Sequence, residues 1–217
     1  MKKSILAGAL WATCVIAPVH AENNDAMWQS ASAQLEASRK WAADVIDLTG
    51  DVDRGSGVRG WSATMRLSGW DKQKPVYSVV NKQSDVKGFG LKFLNGVTAA
   101  SVAIAEGETP ARTDGIVLDG VACTVFEIHA SAALTKVAMK LWVDAGTSKP
   151  LQMVVSFHLP LTADGTVITH YVTNAQGQIL PVVVDYDLNI LTPFNKAKTR
   201  IHQTSSGWVA LPSDPGR

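Results

Sequence analysis

The sequence predicts an α+β fold in which an N-terminal helix packs on a strongly curved antiparallel sheet, a half-barrel of about ten or eleven strands. Three observations support this prediction. Apolar residues recur at helical spacing near the start of the chain, whereas the segments after Gly57 alternate apolar and polar residues. Turn-forming clusters separate these segments at intervals that are too short for βαβ crossovers.

The first 21 residues are predicted to be an export signal that is cleaved after Ala21. Two lysines precede an apolar run, and V-H-A at residues 19–21 places small residues at the positions that a signal peptidase reads. Acylation at Cys14 is the alternative, but the residues before it fit a lipoprotein signal poorly. We therefore expect a periplasmic chain whose residues 22–217 form a single domain. No integral membrane segment is expected in it, because no later run approaches the ~18 apolar residues that a span needs.

The first element of the mature chain is predicted to be a helix from Asp25 to about Leu48. Asn23, Asn24 or Asp25 can cap its start, and Thr49-Gly50 is expected to end it. The apolar residues that recur at helical spacing are Met27, Ala31, Leu35, Ala42, Val45 and Ile46.

Strands are predicted from Val58 onward. The segment VRGWSATMRLS at 58–68 places apolar side chains on one face and polar ones on the other, as expected for an antiparallel sheet with one solvated side. The loop at 106–114 carries charge, Gly and Pro. Further strands are predicted near residues 76–83, 88–95, 97–105, 115–130, 136–143, 151–158, 166–173, 178–188 and 196–210.

The sequence holds more apolar sheet surface than one helix can cover. The hairpin LWVDAGTSKPLQMVVSF at 141–157 is an example, since each of its strands has one apolar face. Two interpretations are open: a filled core, or an apolar concavity that receives a ligand. The candidate ligand-binding residues are Trp61, Met65, Met139, Leu141, Val143, Met153, Val155 and Phe157.

Catalytic and metal-binding patterns are absent from the sequence, so no enzyme activity, metal or cofactor is expected. The segment GDVDRGS at 50–56 lacks the later ligands of a calcium loop, and no nucleophile elbow or phosphate loop occurs. Of the histidines, only His158 and His170 could meet across a hairpin. Asp185 and Asp187 share a strand face that most simply marks the solvated side.

Charge and cysteine content narrow the classes of partner. The formal net charge is +1, and it becomes −1 when the two lysines of the signal are removed. No basic patch indicates a nucleic-acid partner. Cys123 is the lone cysteine of the mature chain. It is interpreted as a small buried residue, with a reactive thiol or an intermolecular disulfide as the alternative.

The segment KVAMKLWVDAGTSKPLQMVVSF at 136–157 resembles the central hairpin of the LolA-like periplasmic lipoprotein-carrier family, which is related to RseB and LppX. In that family a strand ending in an L-W-V-D-like segment passes through a T-x-x-P turn into an apolar strand. The segments YVTNAQGQILPVVVDYDL at 171–188 and AKTRIHQTSSGWVAL at 197–211 fit the same order of hairpins. Only the hairpin at 136–157 is specific, and its motif is structural.

The resemblance implies a non-enzymatic carrier or binder of a lipid acyl chain or a lipidated protein, of the outer-membrane lipoprotein-sorting type. The apolar concave face of the sheet would receive the chain. Arg66 and Arg112 are candidates for a ligand-handling arginine because they lie near the strand and loop expected at the mouth. The alternative is an RseB-like regulatory or assembly protein that binds another envelope protein.

Overall fold

A computed structural model describes residues 25–71, 73–84, 109–132, 135–161, 163–192 and 195–212. The predicted signal segment and the strands predicted near 88–95 and 97–105 lie outside these residues. The α+β class is confirmed: one helix and ten strands are described, and the strands form an open antiparallel sheet.

Helix α1 spans Ala26–Ser38 and begins at an aspartate cap. The Asp25 carboxylate accepts hydrogen bonds from the backbone N–H groups of Met27 and Trp28, at 3.0 Å each. This pairing satisfies two N–H groups that have no partner within the first turn of a helix. Its buried residues are Trp28, Ala31 and Leu35, which share one face.

The ten strands follow α1 in a meander of hairpins. Their bounds are β1 Trp41–Asp53, β2 Val58–Asp71, β3 Lys74–Ser84, β4 Ala111–Leu118, β5 Val121–Ala132, β6 Thr135–Asp144, β7 Pro150–Leu159, β8 Ala163–Thr173, β9 Ile179–Thr192 and β10 Asn195–Ala210. The spatial order is β3-β2-β1-β10-β9-β8-β7-β6-β5-β4. Strand β10 returns to pair with β1, so the first and last described strands meet inside the sheet.

The predicted helix end at Leu48 is wrong. The helix stops at Ser38, and Trp41–Asp53 forms a strand that is hydrogen-bonded to β10 on one side and to β2 on the other. From Ile46 onward every second residue is apolar or Gly, which suits a strand with one buried face. Pairing on both sides therefore outweighs the helical spacing of the alanines.

A second correction concerns the segment predicted as one strand at 115–130. It contains a hairpin, because β4 and β5 are joined by a turn at Asp119–Gly120, both with positive φ. The part of the predicted loop from Ala111 to Asp114 belongs to β4. The hairpin of residues 136–157 is confirmed, with Leu141 directly opposite Met153.

One face of the sheet, called the inner face here, carries α1. Directly opposed residues in an antiparallel sheet point to the same side, so the register traces this face from strand to strand. One row of directly opposed residues runs through eight strands, in the spatial order β5, β6, β7, β8, β9, β10, β1 and β2. It consists of Phe126, Leu141, Met153, Thr169, Val184, Gln203, Leu48 and Ala63. All eight of these side chains are buried, so the core lies on the inner face.

Candidate functional site: the inner face of the sheet

All eight candidate ligand-binding residues lie on the inner face, but they fall into two groups. Trp61 and Met65 are on β2, and the other six are on β6 and β7. Four strands, β1, β10, β9 and β8, lie between β2 and β7 and keep the two groups apart. Their proposed role in ligand binding remains a prediction.

One cluster of buried side chains, called the helix-covered cluster, lies beneath α1. Trp28 packs on Phe126, with ring centroids 5.4 Å apart and planes tilted by 52°. Leu141 and Val143 are completely buried. The cluster consists of Trp28, Ala31, Leu35, Phe126, Ile128, Met139, Leu141, Val143, Met153 and Val155. A ligand could reach this part of the inner face only if α1 moved away.

Another cluster of buried side chains, called the sheet cluster, lies on β1, β2, β9 and β10. The indole ring of Trp61 lies over Gly50, because a Cβ atom on that glycine would be 2.8 Å from the ring. The lack of a side chain at Gly50 therefore makes room for Trp61. The buried members are Ala43, Ile46, Leu48, Val52, Trp61, Ala63, Met65, Val184, Tyr186, Ala197 and Ile201.

Between the clusters, the inner face carries apolar side chains that remain partly exposed. Five of them form what we call the open strip: Val137, Phe157, Val167, Leu188 and Ile190. Val137, Phe157, Gly165 and Leu188 are opposed in register across β6 to β9. Gly165 leaves the middle of this row flat, and a Cβ there would be 2.9 Å from Cδ2 of Leu188.

The open strip lies at the end of the sheet that α1 does not reach. The amide of Gln34 donates to the Ser148 carbonyl in the β6–β7 turn at 3.0 Å, which places α1 near that turn. Val137 lies near the start of β6 and Phe157 near the end of β7, so both are at the end of the sheet away from that turn. Phe157 was predicted from the sequence, whereas Val167 and Ile190 were not. The alternation along β8 and β9 is the signal that could have identified them.

A group of buried polar side chains borders the open strip. The Tyr186 hydroxyl donates to Oε1 of Gln203 at 3.4 Å, and Nε2 of Gln203 donates to the Ser205 hydroxyl at 3.2 Å. We call these three residues the polar trio. Tyr186 is directly opposite Val167 of the open strip. Burial raises the pKa of Tyr186 to about 12, so its hydroxyl is neutral at physiological pH.

Arg112 holds the start of α1 against the β4 edge of the sheet. Its guanidinium group pairs with Asp25, the helix cap, at 2.8 Å and with Asp114 at 2.9 Å. Thr124 donates a further hydrogen bond to Asp114 at 2.7 Å. Arg112 is thus committed to attaching the helix. Arg66, the other candidate arginine, is exposed on β2.

These pairings lower the pKa values of both carboxyl groups. Burial acts to raise the pKa of Asp25, but the hydrogen bonds from Arg112 and the backbone N–H groups outweigh it and lower the pKa overall. Arg112, followed by the Thr124 hydroxyl, lowers the pKa of Asp114. Both groups are therefore ionised at neutral pH, which favours the attachment of α1.

Asp185 and Asp187 lie on the opposite, outer face of the sheet, as predicted. The Asp185 carboxylate accepts a hydrogen bond from Nδ1 of the His202 ring at 2.7 Å, and Asp187 is opposite Arg200. His158 and His170 do not meet, since they are opposite Asp164 and Gln152 respectively. Within the described ranges, no three His, Cys, Asp or Glu side chains are placed to hold a metal ion.

The interpretation of Cys123 as a small buried residue is confirmed. The side chain is completely buried, and its thiol donates to the Val121 carbonyl at 3.3 Å. Burial raises the pKa of the thiol, which disfavours the reactive thiolate form.

No protein-family model matches the chain. No curated protein matches it significantly. Within the part of the chain that the structure describes, no helix is long and apolar enough to cross a membrane.

Solved structures similar to the chain include three with low sequence identity. A DUF1329 family protein from Desulfovibrio piger is 11% identical, with 91% of this chain and 95% of that chain covered and a TM-score of 0.35. A putative outer membrane lipoprotein-sorting protein domain from Vibrio parahaemolyticus is 10% identical, with coverage of 85% and 90% and a TM-score of 0.41. MucB, in a complex with MucA(peri), is 9% identical, with coverage of 86% and 99% and a TM-score of 0.22. A lipoprotein-sorting domain and the RseB-like MucB, both of the kind that the resemblance names, are thus among the solved structures that match the chain.

Proposed function

We propose that the protein is a non-enzymatic periplasmic binder or carrier of an acyl chain, which belongs either to a lipid or to a lipidated protein. The chain lies along the open strip of the inner face. The observation that supports this proposal is the partial exposure of five apolar side chains between two buried clusters of the same face. Val167, Leu188 and Ile190 pack against the sheet cluster and Val137 packs against the helix-covered cluster, so the strip adjoins both clusters.

The energetics of the open strip are adequate for this role. Each methylene group that leaves water contributes about 0.8 kcal/mol, so a chain of roughly fourteen carbons contributes about 11 kcal/mol before the costs of binding. The strip offers side chains from four strands, β6 to β9. Strands lie about 4.8 Å apart, so these four extend over roughly 14 Å across the sheet. That length accommodates much of an acyl chain.

The proposal is tested by placing a charge in the open strip. In Phe157→Glu, an acyl chain would have to lie against a carboxylate, so its affinity should fall at least about tenfold. Phe157 is partly exposed, so the introduced carboxylate can keep water and the fold should survive. The measurement is displacement of a fluorescent fatty acid, together with a thermal melt.

The matched control is Ser156→Glu. Ser156 is the adjacent residue, is exposed and lies on the outer face, where its hydroxyl is 3.3 Å from that of Thr166. The control should bind the probe as wild type does. Equal binding by Phe157→Glu and Ser156→Glu would contradict the proposal.

A second candidate function, binding of another envelope protein, is favoured by one observation. The tip of the β4–β5 hairpin exposes Ile116 and Val121 on one face and Val117 on the other. Adjacent exposed apolar side chains are typical of protein interaction sites. Crosslinking in the periplasm from a residue placed at Val117 tests this function. A specific protein adduct combined with the absence of bound lipid would favour it over acyl binding.

A further inference from the structure

The polar trio stands out because it interrupts an apolar face. Gln203 and Ser205 are 8% and 9% exposed, and their neighbours along the register rows include Val184, Leu48 and Ile46. A glutamine at such a position loses its hydration, so it must recover hydrogen bonds within the protein or with a ligand. The trio adjoins the open strip through the pairing of Tyr186 with Val167.

The hydrogen bonds within the trio do not use the full capacity of Gln203. Its amide carries two hydrogens, and one of them is donated to Ser205. The second has no acceptor in the described part of the chain. The bond from Tyr186 to the amide oxygen is long, at 3.4 Å. Gln203 can therefore donate to an acceptor that a ligand brings to the edge of the open strip.

The charges around the trio indicate which acceptor fits. On β8, β9 and β10, the described inner-face residues are uncharged, and on β1 the alternation from Ile46 and Leu48 places an aspartate, Asp44, on this face opposite Gly207. The described inner-face residues around the trio thus include no cation. The other ionisable residues of these strands nearest to the trio, Arg200, His202 and Asp185, belong to the alternate positions that face outward. An ionised carboxylate at the trio would lose its water without meeting a cation, whereas a neutral carbonyl oxygen would not carry that penalty.

We propose that the polar trio, with Gln203 as the donor, binds the ester or amide carbonyl that joins an acyl chain to the rest of its ligand. This inference rests on the proposed function, and it narrows the ligand to acyl esters and amides. A free fatty acid would bind less well because its carboxylate would lie at a buried site where the described residues offer no cation. The open strip then holds the hydrocarbon, and the trio fixes the position of its polar end.

Three probes with the same alkyl chain separate these contributions. They are a monoacylglycerol, the corresponding alkyl glycerol ether, which lacks only the carbonyl oxygen, and the free fatty acid. The wild type should bind the monoacylglycerol about three- to tenfold more tightly than the ether, which is the effect of one neutral hydrogen bond. The fatty acid should bind more weakly than the monoacylglycerol, and its disadvantage should shrink as the pH falls and the carboxyl group becomes neutral.

The variant Gln203→Leu tests the assignment to the trio. Leucine has a similar volume and suits the apolar surroundings, so the protein should fold. The preference for the ester over the ether should disappear, while affinity for the ether should be unchanged. If Gln203→Leu does not fold, Ser205→Ala provides the second variant. It removes the acceptor of one amide hydrogen, frees that hydrogen for the ligand, and should therefore keep or increase the preference for the ester.

The outcomes are distinguishable from a failure of the proposed function. If the wild type binds none of the three probes, the open strip is not an acyl site and both proposals fail. If it binds the ester and the ether equally, the acyl site stands and the role of the trio is refuted. A preference for the ester that survives in Gln203→Leu refutes the role of Gln203.

Discussion

Leu141→Ala tests the division of the inner face into a permanent core and a site. Leu141 is 0% exposed, lies opposite Phe126 on β5 and Met153 on β7, and belongs to the cluster beneath α1. Truncation of a fully buried leucine removes three carbons and leaves a cavity, at a cost of about 2–5 kcal/mol. For a domain of this size, about 3 kcal/mol corresponds to a fall in melting temperature of roughly 6–12 °C.

The assay is a thermal melt read by circular dichroism, combined with probe binding at 15 °C, well below the transition. Lys140→Ala is the matched control, since Lys140 is the adjacent residue, faces outward and forms a partly exposed ion pair with Glu127 at 3.1 Å. An exposed pair of this kind contributes about 0–1 kcal/mol. Acyl affinity should be unchanged in both variants because neither residue lies in the open strip. A melting temperature for Leu141→Ala as high as that of the control would refute the packing of α1 on this cluster.

Three further predictions concern the attachment of α1, the open strip and the mature terminus. Arg112→Ala should lower the melting temperature at pH 7. The difference in melting temperature from wild type should shrink below pH 3.8, which is the ordinary pKa of an aspartate side chain. The two carboxyl groups that Arg112 pairs with have lowered pKa values, so their contribution is present above that pH and is lost as they protonate below it. Gly165→Ala should destabilise the fold, because the new Cβ would lie 2.5 Å from the Asp187 carbonyl oxygen, whereas Gly69→Ala, with nothing within 4 Å, should be tolerated; equal melts would contradict this. The secreted protein should begin at Glu22, and an intact mass that includes a diacylated cysteine would exclude this terminus.

The strand hairpins were predictable because their signal is local. Between Thr135 and Leu159, alternation, a turn containing Gly146 and a proline after it determine two strands and their register. The outward position of Asp185 follows from the same alternation along β9. Register in a sheet with one buried face is strongly constrained, since a shift by one residue would expose the whole apolar set.

The end of α1 and the division of the inner face were not predictable, because both depend on contacts distant in sequence. The segment from Trp41 to Leu48 forms a strand since β10, more than 150 residues later, pairs with it. The predicted ligand residues all lie on the inner face, but the sequence did not show which of them α1 would cover. Val167 and Ile190 join Phe157 in the open strip only through the register of β7, β8 and β9.

The most direct test of acyl binding is native mass spectrometry of the mature protein, purified from the periplasm without detergent. We expect a population heavier than the bare polypeptide by the mass of an acylated molecule, which is released by organic solvent and is lost in Phe157→Glu but retained in Ser156→Glu. A single mass equal to the bare polypeptide, with no adduct after incubation with monoacylglycerol, would contradict the assignment of the open strip as an acyl-binding site.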